Sequence, residues 1–253
     1  MPSSLSQLET EKARQSRMIA LDDVHLRLGS GAGEVNILRG IDLTVERGET
    51  VSVVGPSGSG KTSMIMVIAG LERATEGEVR VGDRVFGSLS EDQLALFRRD
   101  HVGIVFQSFH LVPTMTALEN VAIPLELAGR RDAFDRAAAM LEAVGLGHRT
   151  THYPGQLSGG EQQRTALARA FAPAPDLILA DEPTGNLDGE TGRQIIELMF
   201  KLSDEHDTTL MLITHDTGLA ARCDRVIHMA DGQITEDRRG DGAQAAPKTA
   251  SAG

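Results

Sequence analysis

The run Gly55-Pro56-Ser57-Gly58-Ser59-Gly60-Lys61-Thr62 has the spacing G-x-x-x-x-G-K-[ST] and lies between a β-branched apolar stretch and an apolar helical one. Glycines there let the chain turn so that several backbone N–H groups point at one anion. A helix that follows adds about half a positive charge at its N-terminus. Lys61 is placed to reach the β- and γ-phosphates of a nucleotide, with Ser63 beside the loop, and the Thr62 hydroxyl is placed to ligate Mg²⁺. The second metal partner should be an acid at the end of a neighbouring strand. Asp181 stands there, after Leu177-Ile178-Leu179-Ala180, and Glu182 follows it. Two carboxylates closing a buried strand are costly unless a cation or hydrogen bonds compensate them. With Asp181 beside the metal, Glu182 is free to hold an attacking water and accept its proton. Read alone, Asp181-Glu182-Pro183 is equally an acidic turn. The loop alone binds a nucleoside triphosphate and leaves open what its use drives.

A second anion site is suggested by Leu157-Ser158-Gly159-Gly160-Glu161-Gln162-Gln163, which precedes a helical run from Arg164 to Phe171. Ser158 and Glu161 match a capping box, in which each side chain satisfies an orphan N–H of the first turn. That is ordinary helix punctuation and does not account for two glycines, each of which costs ~1 kcal/mol relative to alanine in a helix. Close approach of a ligand to the backbone would account for them, at a helix N-terminus suited to an anion.

The elements that must position these groups follow from periodicity. Thr50 to Val54, Leu177 to Ala180 and Leu210 to Ile213 read as buried strands, and Ile195, Leu198, Met199 and Leu202 mark one face of an amphipathic helix. Met64 to Ala69 is an apolar helical stretch stopped by Gly70. Buried strands alternating with helices predict an α/β fold: a mainly parallel sheet with flanking helices. Met18–Leu28, Ile37–Val45 and Val79–Phe86 alternate apolar and polar residues and predict an N-terminal antiparallel β-subdomain. Residues 107–160, with Ala133 to Val144 closed by Gly145, predict an inserted helical subdomain. The folded body is expected over 18–237, with a disordered extension over 1–17 and a disordered tail over 238–253.

The 253 residues hold 25 Lys+Arg against 36 Asp+Glu, a net charge of −11, and 40 % are hydrophobic. That composition builds a cored domain. The acidic balance argues against nucleic acid as a partner, because phosphate neutralisation needs clustered cations. One cysteine, Cys223, can form neither an internal disulfide nor a zinc cluster, which points to a reducing compartment. No run approaches the ~20 apolar residues that cross a bilayer, so any membrane part must come from another chain.

Taken together, Gly55–Thr62, Leu157–Glu161 and the strand ending Asp181-Glu182 resemble the ATPase subunit of an ABC transporter; the Ser158-Gly159-Gly160-Glu161 signature is the specific part. The resemblance extends over about Ile19 to Thr235. Val105-Phe106-Gln107 matches the Q-loop, which implies that Gln107 contacts Mg²⁺ and the attacking water. Gly185-Asn186-Leu187-Asp188 matches the D-loop, and Ile213-Thr214-His215-Asp216 the switch histidine at the γ-phosphate. Val105 to Thr114, Ala117 to Val121 and Ala180 to Asp188 are similar to the lipoprotein-releasing and macrolide-exporting (LolD/MacB-like) branch. Phe171 and Leu219 to Arg225 are most similar to its YbbA-type members.

The resemblance implies ATP and Mg²⁺ as ligands. It implies a homodimer in which Ser158 to Glu161 of one copy, with Asp188, closes on the phosphate loop of the other, and Glu182, His215 and Gln107 carry hydrolysis. It further implies an integral membrane permease subunit and a peripheral position on the cytoplasmic face of the inner membrane; of the insert's Phe109, Leu111, Val112, Met115, Leu118, Val121, Ile123 and Leu125, some are expected to face its own core and others to form a groove for a helix of that partner. Export or membrane extraction of lipophilic, lipoprotein-like or amphipathic compounds is the implied work; a cell-division-type complex is the alternative. The chain departs from the family where an aromatic residue usually stacks on adenine: Leu28 stands there, and no Phe, Tyr or Trp precedes Phe86. His25 and Arg27 are the nearby side chains that could substitute. A weak ATP-over-GTP preference is expected.

Overall fold

The computed structural model describes residues 16–30 and 33–240. Two long strands, β1 (Arg17–Ser30) and β2 (Gly33–Glu46), pair antiparallel with Leu26 opposite Leu38 and Leu21 opposite Leu43. β3 (Thr50–Val54) is buried along its length. The phosphate-loop segment leads into α1 (Lys61–Ile68), and β4 (Glu76–Val81) with the short β5 (Arg84–Val85) completes a sheet ordered β2-β1-β4-β5. This is the antiparallel subdomain that alternation along the sequence predicts, because one face of each strand is apolar and packs inward.

The chain continues through α2 (Glu91–His101), β6 (Val102–Phe106), α3 (Ala117–Leu127), α4 (Ala133–Ala143) and α5 (Gly159–Phe171). It ends with β7 (Leu177–Asp181), α6 (Gly189–Glu205), β8 (Thr209–Ile213), α7 (Thr217–Ala221), β9 (Arg225–Ala230) and β10 (Gln233–Arg239). The second sheet is ordered β10-β9-β3-β8-β7-β6. Its β9, β3, β8, β7 and β6 run parallel, and β10 is an antiparallel edge. α3 and α4 form the helical insert and pack with α5, α6 and one face of this sheet in a single apolar cluster that includes Val121, Leu141, Phe171 and Met199. The opposite face, with Val53, Leu179 and Ile213, packs with α1 and the antiparallel sheet.

β10 corrects the predicted tail. Arg238 and Arg239 pair with Val226 and Arg225, so the strand outlasts Asp237 by two residues. Arg225 supports it by donating to both carboxylate oxygens of Asp237. This run of charged residues carries no apolar signal because it is an edge strand with an exposed face. Arg17 likewise opens β1 instead of closing an extension. The rest of the expected extension and tail, 1–15 and 241–253, lies outside the described residues.

Candidate nucleotide site

The chemistry-bearing residues fall on one edge of the parallel sheet because each follows the carboxyl end of a strand. Val53, Ile213, Asp181 and Phe106 form one register row across β3, β8, β7 and β6. Just past that row come the phosphate loop, Thr214-His215, Glu182 and Gln107. Open α/β sheets bind ligands at this edge.

Gly55, Gly58 and Gly60 all have positive φ. A Cβ on Gly55 would stand 2.1 Å from the Met229 carbonyl oxygen, so this turn is closed to other residues by packing as well as by torsion. Lys61 Nζ donates to the Gly55 and Pro56 carbonyls at 2.9 and 2.8 Å, folding the ammonium back over the loop. Thr62 Oγ1 donates to Asp181 Oδ2 at 2.9 Å. Burial chiefly, with Glu182 next in sequence, pushes the Asp181 carboxyl above the usual range against the Thr62 hydrogen bond and the Lys61 charge. An acid in that state favours a cation beside it. No cluster of three His, Cys, Asp or Glu side chains capable of holding a metal exists among the described residues. Thr62 and Asp181 offer instead the sparse hard-oxygen set that suits Mg²⁺ shared with phosphates.

Glu182 adopts φ +45°, a region that a residue with a long side chain enters at a cost. Its Oε2 lies 3.6 Å from His215 Nδ1, and His215 itself is largely exposed. Gln107 is engaged by the next loop: its Nε2 donates to Asn186 Oδ1 at 3.1 Å, and Asn186 Nδ2 returns a bond to the Gln107 carbonyl at 3.0 Å. Q-loop and D-loop are thus tied in this conformation. Arg169 on α5, which sequence reasoning missed, donates to the carbonyls of His110 at 2.6 Å and Phe109 at 2.8 Å. Phe109 and His110 both have positive φ, so a half-buried guanidinium braces the bend after Gln107. The missed signal is a basic residue in an otherwise apolar, buried part of a helix.

At the second predicted anion site, Ser158 and Glu161 form the full capping box at the start of α5. Arg149 Nε adds a 2.9 Å ion pair to Glu161. Those hydrogen bonds, the Ser158 backbone first, hold the Glu161 carboxyl below the usual range. Ser158 is exposed and lines a hollow of about 420 Å³ with Gly159, Gly160, Asn186, Leu187 and Asp188, while no phosphate-loop residue lines it. Asp188 caps α6, accepting from the Glu190 and Thr191 amides. The two glycines have a partly different reason from the one predicted. A Cβ on Gly160 would stand 2.5 Å from Thr191 Cγ2, so packing within the chain demands that glycine; Gly159 meets only Leu187, at 3.4 Å. Ligand approach is the one explanation for Gly159, and at Gly160 it stands beside that packing.

Leu28 pairs with Val35 across β1 and β2, and the two are 39 % and 48 % exposed. Two residues along β2, the Ile37 carbonyl oxygen lies 3.0 Å from where a Cβ of Gly60 would be. An exposed aliphatic pair therefore lies about 7 Å along the strand from the phosphate loop. Neither expected substitute is free: His25 bonds Asp23 at 3.0 Å, and Arg27 bonds Asn36 and pairs with Glu76.

A parallel sheet carrying a phosphate loop, paired acids and a histidine at one edge, with a helical insert and an antiparallel flank, defines an ATP-binding cassette. Residues 38–185 match the profile of the ABC transporter family, and the chain belongs to that family. It is 51 % identical to the uncharacterized ABC transporter ATP-binding protein YbbA of Escherichia coli K12, over 84 % of this chain and 95 % of that protein. It is 45 % identical to the lipoprotein-releasing system ATP-binding protein LolD of Geobacter metallireducens, over 88 % of this chain and all of that protein. Among solved structures it matches the dimeric post-hydrolysis state of the ATP-binding cassette MJ0796 bound to ADP and Pi, with TM-score 0.81 and 40 % identity, covering 88 % and 98 % of the two chains.

Proposed function

We propose that this chain is the ATP-hydrolysing subunit of an ABC transporter, working as a pair of identical copies beneath an integral membrane permease. The observation that carries this reading is the shared sheet edge where Asp181 ends β7 and bonds Thr62, with Glu182 and His215 just past the ends of β7 and β8, while Ser158 opens a separate hollow. One nucleotide with two anion-binding helix ends is reconciled if the ends face each other across a dimer.

The residues take these parts. Amides of Gly55 to Lys61, with Pro56, Ser57, Gly58, Ser59, Gly60 and Ser63 shaping the turn, cradle the phosphates. Lys61 exchanges its two carbonyl acceptors for phosphate oxygens. Thr62 and Asp181 would hold Mg²⁺, joined by Gln107 once its side chain releases Asn186, and the ion would supply positive charge to offset that of the phosphates. Glu182 accepts a proton from the water that attacks the γ-phosphorus as the bond to ADP breaks, and His215 holds the γ-phosphate. Ser158, Gly159, Gly160 and Glu161 of the other copy, with its Asp188, complete the site. Loss of the bridging γ-phosphate loosens the pair, a two-state element biased by nucleotide.

No helix among the described residues is long and apolar enough to cross a membrane. In this reading a permease anchors the pair at the cytoplasmic face of the inner membrane. Likeness to LolD supports lipophilic or lipoprotein-like cargo. The net charge of −11 complements Lys/Arg-rich cytoplasmic loops. Glu182→Gln tests the reading: nucleotide binding is kept and turnover is lost, and hydrolysis at the native rate would contradict it.

A further inference from the structure

Gln163 lies on α5, five residues beyond Ser158, with no exposed surface. Its Nε2 donates to the Pro183 carbonyl at 2.6 Å. Its Oε1 is buried without a hydrogen-bond partner. An unpaired buried oxygen costs stability, and a methionine would fill the same space without that cost. What this position contributes is a donor.

The carbonyl it grips belongs to the residue after Glu182. Glu182 is held at φ +45°, a torsion that persists only where the surroundings over-determine it. Three successive peptide groups are each fixed by one bond. Glu182 N donates to the Ile213 carbonyl at 3.1 Å, Gly185 N donates to the Glu182 carbonyl at 3.0 Å, and Gln163 donates to the Pro183 carbonyl. The first two anchors are backbone groups. Only the third is a side chain, and it comes from the helix whose tip carries Ser158.

We infer that Gln163 is a positioning residue: its amide holds the Glu182–Pro183 turn so that the Glu182 carboxylate faces His215 and the phosphate loop. This rests on the proposed role of Glu182 as the base. Positioning acts on the chemical step and leaves the phosphate cradle untouched, so kcat and nucleotide affinity should separate.

Gln163→Met keeps the bulk and loses the donor; Gln163→Asn keeps the donor and loses the reach. Each should lower kcat roughly tenfold or more, as small misplacements of reacting groups do, with ATP affinity near the native value. Thr165→Val removes a neighbouring partly buried bond, Thr165 Oγ1 to the Glu161 carbonyl at 2.8 Å, and should leave kcat unchanged. Native kcat in a folded Gln163→Met protein would overturn the inference. So would a parallel fall of kcat, affinity and Tm in all three variants. Glu182→Gln separates the two levels. Retained turnover there removes the base itself; lost turnover there with native kcat in Gln163→Met removes only the positioning role.

Discussion

Thr62 Oγ1 donates to Asp181 Oδ2 at 2.9 Å across 119 positions of sequence. The bond joins the first turn of α1 to the end of β7 and leaves a half-buried acid whose ionised form is disfavoured. Because its folded-state value is raised, ionised Asp181 costs stability at neutral pH, and the cost is relieved by protonation, by a cation or by an uncharged isostere. Asp181→Asn should therefore abolish Mg²⁺-dependent hydrolysis while raising the Tm of the nucleotide-free protein. Differential scanning fluorimetry checks this; a lower Tm would mean that Asp181 is already compensated without a ligand.

Leu28 and Val35 offer an adenine ring area without an aromatic face, and His25 and Arg27 are engaged elsewhere. ATP and GTP should accordingly bind within about threefold of each other, since a stacking term of roughly 1 kcal/mol is missing. Leu28→Tyr should restore it and raise ATP affinity roughly two- to tenfold. Titration with fluorescent ATP and GTP analogues decides the matter, and a large native gap in favour of ATP would refute it.

Much of this site was legible because its motifs are local. Gly55–Thr62, Ser158–Glu161 and Asp181-Glu182 each occupy a few consecutive residues whose types dictate torsion, capping or charge. Periodicity also revealed β3, β7 and β8, whose buried residues are uninterrupted. What escaped depends on contacts between distant segments. Gln163 and Arg169 are polar side chains inside a packed helix, and only the fold shows that their partners are the carbonyls of Pro183, Phe109 and His110. The demand for Gly160 comes from Thr191 in another helix. β10 escaped because an exposed edge strand has no apolar face to read.

Cys223 is fully buried, and that burial above all pushes its thiol up to about 12. With the folded value raised, the stability it contributes is present below the unfolded value of 9.0 and is lost as pH rises toward about 12. The native protein should resist iodoacetamide at about pH 8, where the same thiol reacts once denatured. Mass spectrometry of the labelled protein checks this; rapid native labelling would mean that α7 and β9 open readily.

The central claim is that nucleotide is clamped between the Lys61 loop of one copy and the Ser158 cap of the other, and light scattering of Glu182→Gln after size exclusion tests it most directly. With MgATP the 27.0 kDa chain should run at twice its mass, return to a single chain with ADP, and stay a single chain with MgATP when Ser158→Arg is added. A Glu182→Gln protein that binds ATP yet never pairs, or one that still pairs through Ser158→Arg, would contradict the account.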